Sequence, residues 1–163
     1  MNSKDLIRQT IGATDTVWKG YLADLTDAEL LHRPVKGANH INWQFGHLIV
    51  SEHMLGNSIE PDAMPPLPDG LAEKYAKDTA TNDDASAFET KESLMSIQET
   101  QRAGLMKILD GLSEEDLDKP TSGPMQGFFP NFASLIMSAD VHWMMHAGQW
   151  ALTRRSLGKP PLF

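Results

Sequence analysis

Residues 131–158 read NFASLIMSADVHWMMHAGQWALTRRSLG, and this stretch decides how the rest of the chain has to be arranged. A helix drawn through it is apolar nearly all round, with Ile136, Met137, Val141, Trp143, Met144, Ala147, Trp150, Ala151 and Leu152 leaving Asp140 as the one charge between Asn131 and Thr153. Such a helix is central in a bundle or shared with a second subunit. It carries His142 and His146. Four residues at ~100° each bring the two imidazoles within ~40° of one another and ~6 Å apart along the axis, which lets both grip one metal ion. Leu135, Ser138, Ala139, Gln149 and Thr153 share their stripe, so there is room beside the rings.

Working back toward the N-terminus, HINWQFGHLIVSEHMLGNSIE from His40 predicts a second long helix, ended near Asn57 by Gly56-Asn57 and Pro61. Measured from His47, the residues His40, Trp43, Gln44, Val50, Ser51 and Met54 lie on one stripe, whereas His53 lies ~240° and Glu52 ~140° away. Glu52 is therefore not assigned as a catalytic base, and His40 is read as a loop or cap residue. Gly46 in mid-helix costs ~1 kcal/mol relative to Ala, which implies close approach of another helix or of a ligand beside His47.

The other two helices are more ordinary. Ile7, Ile11, Thr14, Trp18 and Leu25 recur at helical spacing after a cap at Asn2 or Ser3, and Thr26 with Glu29 forms a capping-box pattern before Pro34. From Thr90 to Leu112, Leu94, Ile97, Gln101, Leu105 and Leu112 share one face, and LSEEDLDKP then repeats the cap-and-proline logic of LTDAELLHRP. Residues 57–88 are proline-rich and polar, and as a connection far exceed the ~2–8 residues usual between bundle helices. They read as a plain crossover or as a lid. No alternating strand pattern occurs, so the chain is expected to be all-α, a four-helix bundle with long crossover connections, in one domain spanning 1–163.

The chain contains no cysteine, which excludes disulfides, Cys-ligated zinc and a cysteine nucleophile. A net charge of −8 without any basic run argues against nucleic-acid or anionic-membrane partners. MNSKDLIRQTIGATD lacks the apolar h-region expected of a secretory signal, and no apolar run approaches the ~20 residues needed to cross a bilayer. A cytoplasmic protein with a small-molecule substrate is expected.

Three histidines, His47, His142 and His146, thus have compatible faces on two long helices. A lone histidine on an apolar helix is ordinarily a hydrogen-bonded core residue; an inward i, i+4 pair with a third on a face that a bundle can bring opposite favours metal binding over that reading, and three imidazoles leave a tetrahedral zinc one open position. Trp43, Met54 and Met145, with Trp150 at the edge, could line a pocket or simply pack. Gln44, Ser51 and Gln149 could hold a ligand nitrogen or simply join helices. Arg154 and Arg155 are read as complements to the helix dipole.

GHLIVSEH, followed about 95 residues later by VHWMMHAGQWALTRRSLGKP, resembles the DinB-like family of metal-binding four-helix bundles, whose relatives include bacillithiol S-transferases and mycothiol-dependent maleylpyruvate isomerases. The resemblance runs over nearly the whole chain. It implies His47, His142 and His146 as ligands of a divalent metal, zinc or nickel, and implies a homodimer, in keeping with the apolar girth of the last helix. Ala147 departs from the pattern, since many relatives carry arginine or another polar residue there, and this bears on the substrate. The expected activity is a metal-dependent transferase or hydrolase that activates a low-molecular-weight thiol or water. A non-enzymatic metal-binding or stress-response bundle is the alternative.

Overall fold

Asn2 accepts a hydrogen bond from the Asp5 amide, and the Asp5 side chain answers with one from the Asn2 amide, so the chain enters its first helix through a closed capping box. The computed structural model describes residues 1–162, the side chains of residues 124 and 125 excepted. Its helices are α1 (Ser3–Leu22), α2 (Asp27–Leu30), α3 (Ile41–Ile59), α4 (Leu71–Lys74), α5 (Lys91–Gly111) and α6 (Phe132–Ser156), with short 3-10 turns between them. α1, α3, α5 and α6 form the bundle; α3 lies between α5 and α6, and α1 packs chiefly on α6. The described residues form no strand, only an isolated bridge between Pro120 and Asn131. His40 caps α3 through Nδ1, and the helix continues to Ile59, two residues past the stop expected at Asn57.

The core has two apolar parts. One gathers Trp18, Phe45, Trp143 and Trp150, with Trp18 and Trp143 ring centres 4.6 Å apart. The other gathers Ile7, Ile11, Leu105, Ile108, Leu135 and Ile136. On each long helix a charged residue separates the two: Asp15 on α1, Glu52 on α3, Arg102 on α5 and Asp140 on α6. The arginine faces all three carboxylates, at 3.5 Å from Asp15, 3.1 Å from Glu52 and 3.4 Å from Asp140.

The segment between α3 and α5 is built into this core. Met64, Leu71, Tyr75 and Phe88 are buried, and Tyr75 donates to Asn42 Oδ1 at 3.1 Å while accepting from the Glu89 amide at 2.9 Å. A Cβ on Gly46 would overlap the Tyr75 ring, and Gly56 and Gly104 make equivalent room for Met64 and Pro65. The close approach implied by Gly46 is thus made by α4 and its flank. A crossover fastened by buried side chains and buried hydrogen bonds has the packing of core, as the plain-crossover reading requires, rather than that of a lid.

Candidate metal centre

α3 contributes His47 and α6 contributes His142 and His146, and all three donor nitrogens lie within 4.8 Å of one another. The ring centres of His142 and His146 are 4.9 Å apart, and His47 stands 5.1 Å from the first and 5.9 Å from the second. The i, i+4 spacing on α6 produces the pair, and the packing of α3 on α6 delivers the third.

Each ring is held by its surroundings. Gln44 Oε1 accepts from His146 Nδ1 at 3.0 Å and from Trp150 Nε1 at 2.8 Å, and the Gln44 amide nitrogen donates to Asn39 O at 2.7 Å. Because Nδ1 carries the proton, His146 Nε2 is left with its lone pair toward the cluster. It faces His142 Nε2 at 3.2 Å. Two nitrogens each ~2.0–2.1 Å from one tetrahedral ion stand about 3.3 Å apart, so this separation fits a shared cation. His47 stacks on Trp43, with ring centres 5.0 Å apart and planes 5° from parallel. Trp43 is anchored in turn by donating Nε1–H to Ala76 O at 3.2 Å and Thr79 Oγ1 at 3.0 Å, so the crossover supports a candidate ligand.

Burial lowers the pKa of all three histidines; His142 falls to about 4 with repulsion from His47 added, and His146 to about 4 with repulsion from His142 and then His47. Neutral imidazole is the form that coordinates metal. Proton competition is accordingly displaced to lower pH than the unperturbed value near ~6.5 suggests.

A cavity of about 320 Å³ opens beside His142 between α3 and α6. Ser51 and Met54 line it, Met54 from an exposed rim position. Met145 is 55% exposed and outside the cavity lining, as is the exposed Gln149. Of Gln44, Ser51 and Gln149, the residues read as able to hold a ligand nitrogen, it is Gln44 that bonds His146. Glu52, not assigned as a catalytic base, is buried. Turning ~140° from His47 does not take it to solvent, because α5, α6 and the crossover cover α3 on several sides; Glu52 is 2% exposed and forms part of the cavity wall. His53 bonds Gln101 and Asn57, away from the cluster. Arg154 does more than answer a helix dipole: it is 2% exposed, donates to Tyr21 O at 3.0 Å and pairs with Asp24, tying α6 to the end of α1.

Comparison with known proteins agrees with this architecture. A crystal structure described as the conserved protein of a locus from Enterococcus faecalis is similar with a TM-score of 0.76, covering 98% of this chain and 99% of that chain at 22% identity, a likeness of fold. No curated protein matches the chain. The sequence pattern of the DinB superfamily matches residues 12–150, a span that contains His47, His142 and His146. By that match the chain belongs to the DinB superfamily.

Proposed function

We propose that this protein is a metal-dependent enzyme in which His47, His142 and His146 hold one divalent cation, zinc or nickel, and in which a low-molecular-weight thiol or water is activated for S-transfer to, or hydrolysis of, a small substrate. The observation that carries this reading is a cluster of three neutral imidazoles at the edge of a cavity, with no fourth His, Cys, Asp or Glu in the group among the described residues. An all-imidazole donor set suits zinc and nickel. When bound, such an ion supplies Lewis acidity and lowers the pKa of a water or thiol that reaches it. The chain's own contribution is orientation and exclusion: Gln44 sets the His146 tautomer, Trp43 holds the His47 ring, and Trp143 and Leu48 keep one side of the cavity apolar.

The test is substitution of cobalt followed by titration with a small thiol. A sulfur-to-metal charge-transfer band, and consumption of an added electrophile faster than by free thiol, are the expected results. Tight cobalt binding whose spectrum responds to neither thiol nor small anions would replace the catalytic reading with a metal-stabilised or sensory bundle.

The proposal includes a second copy of the chain on the outer face of α6. Val141 is 67% exposed, Met145 55%, Leu152 50% and Met144 42%, a row of apolar side chains of the kind that marks an interaction surface. Of Met137, Met144 and Ala151, the outward apolar residues that the helix pattern suggests for such a face, Met144 belongs to this row while Met137 and Ala151 are half-buried. Light scattering at micromolar concentration is expected to return a dimeric mass; a monomeric mass would remove this part of the proposal.

A further inference from the structure

The cavity beside His142 has walls that are apolar apart from that histidine, three serine hydroxyls and one carboxyl. Two of the hydroxyl protons are already used, since Ser138 donates to Leu135 O at 2.6 Å and Ser58 to Met54 O at 2.8 Å. Glu52 is in a different position. Its Oε2 accepts from Trp143 Nε1 at 2.8 Å and faces Arg102 Nη2 at 3.1 Å, while Oε1 is buried with no hydrogen-bond partner among the described residues. Leaving a buried acceptor unsatisfied is destabilising, and more so when it is charged.

The charge around Glu52 is also unbalanced. Arg102 faces Asp15 from α1, Glu52 from α3 and Asp140 from α6, so one guanidinium stands against three carboxylates; Asp140 Oδ2 too has no hydrogen-bond partner among the described residues, nor have Arg102 Nε and Nη2, the latter touching Asp15 and Glu52 as a charge contact alone. Burial pushes the Glu52 carboxyl up to about 7, with Asp15 and Asp140 adding to the rise and Arg102 and Trp143 opposing it. A positive group brought to Oε1 would supply both the missing hydrogen bond and part of the missing charge, in surroundings where neither is screened as it is in water.

We infer that this cavity receives the organic part of the substrate, and that Glu52 selects molecules combining a small apolar body with a protonated amine directed at Oε1. At about 320 Å³ the cavity is at the small end of ligand sites, with room for about one aromatic ring or a short aliphatic chain. The inference rests on the catalytic reading for the placement of the reactive end near His142; selection of the amine by Glu52 is a property of the bundle without metal.

The experiment is calorimetric titration of metal-stripped protein with phenethylamine and, separately, with 2-phenylethanol, a neutral molecule of nearly the same shape. Phenethylamine is expected to bind at least about tenfold more tightly. Glu52→Gln should reduce that preference to less than about twofold with the helical circular dichroism unchanged, and Ser138→Leu, which fills the cavity and leaves Glu52 in place, should abolish binding of both probes. Absence of an amine preference in the parent, a preference that survives Glu52→Gln, or binding indifferent to Ser138→Leu would each overturn the inference. Should Glu52→Gln fail to fold, the parent preference and the Ser138→Leu result still decide. Amine selection without thiol activation in the metal-loaded protein would defeat the catalytic reading and leave this inference standing.

Discussion

Two polar clusters lie close together in the same bundle and are built on opposite plans. The first joins His47, His142 and His146, whose ring nitrogens converge within 4.8 Å of one another with no carboxylate in the group among the described residues. The second joins Asp15, Glu52, Asp140 and Arg102, groups of opposite charge drawn from all four long helices. Burial drives the two in opposite senses: the histidines are pushed down, so they stay neutral, and the carboxyls of Glu52 and Asp140 are pushed up, Asp140 to about 6, because their charge is only partly offset. The charged cluster specifies how four helices meet, yet leaves Glu52 Oε1 and Asp140 Oδ2 without a hydrogen-bond partner among the described residues. A cluster of convergent donors is completed by something from outside.

The comparison is broken most forcefully at Arg102. Arg102→Met leaves buried carboxylates facing one another, and removal of one partner of a buried ion pair costs about 3–5 kcal/mol. Metal content should survive in whatever fraction remains folded. The loss should shrink in acid: carboxyls with raised folded pKa values bind more protons folded than unfolded, so their penalty is absent at low pH and grows as pH rises through the interval up to about 7. Urea unfolding at pH 5 and pH 7.5 measures both effects, and a variant as stable as the parent at pH 7.5 would deny the four-residue cluster its structural role.

Removing a histidine should do the reverse. His47→Ala, His142→Ala and His146→Ala are each expected to lower metal affinity by more than about 100-fold, beyond the ~10–100-fold typical of an outer-shell partner, with the helical content preserved. Elemental analysis after gel filtration tests this, and retention of stoichiometric metal by all three would refute the ligand assignment.

Gln44 sharpens the contrast, since it belongs to the support of the first cluster and touches none of the second. Gln44→Leu removes the acceptor for both His146 Nδ1 and Trp150 Nε1 and should weaken metal binding by about 10–100-fold, whereas Gln149→Leu, on the exposed flank, should change it by less than about twofold. Equal effects from the two would mean that Gln44 does not orient His146.

The smallest effect is on the pH profile of metal binding. With His142 and His146 titrating at about 4 in the metal-free fold, protons compete weakly near neutrality, and affinity should change little between pH 7 and pH 5.5 and fall steeply only as pH approaches 4. A midpoint near pH 6.5, the value of an exposed imidazole, would show that the histidines are less buried in solution than in the structure.

Much of this protein is written locally in its chain. The 3.6-residue period of the α-helix is a property of neighbouring residues, so the four long helices, the Thr26–Glu29 capping box, the pairing of His142 with His146 and the divergence of His53 from His47 are all legible from spacing. Gly46 likewise announces a close approach, because a missing Cβ in mid-helix has a cost that something must offset.

Tertiary structure decided what stands opposite each face. Angles on one helix say which residues share a stripe, but not which neighbour covers it or how far around burial extends. Glu52 turns away from His47 and is nonetheless buried, because α3 is enclosed by α5, α6 and the crossover. Gln149 shares the histidine stripe and is nonetheless exposed, while the packing of α3 on α6 brings Gln44 to His146. The helices and the i, i+4 pair follow from short-range geometry and are determined by sequence alone. The third histidine, the cavity and the charge balance around Glu52 arise from the register of α3 against α6, set by the packing of side chains distant in the chain, and only the folded bundle fixes them.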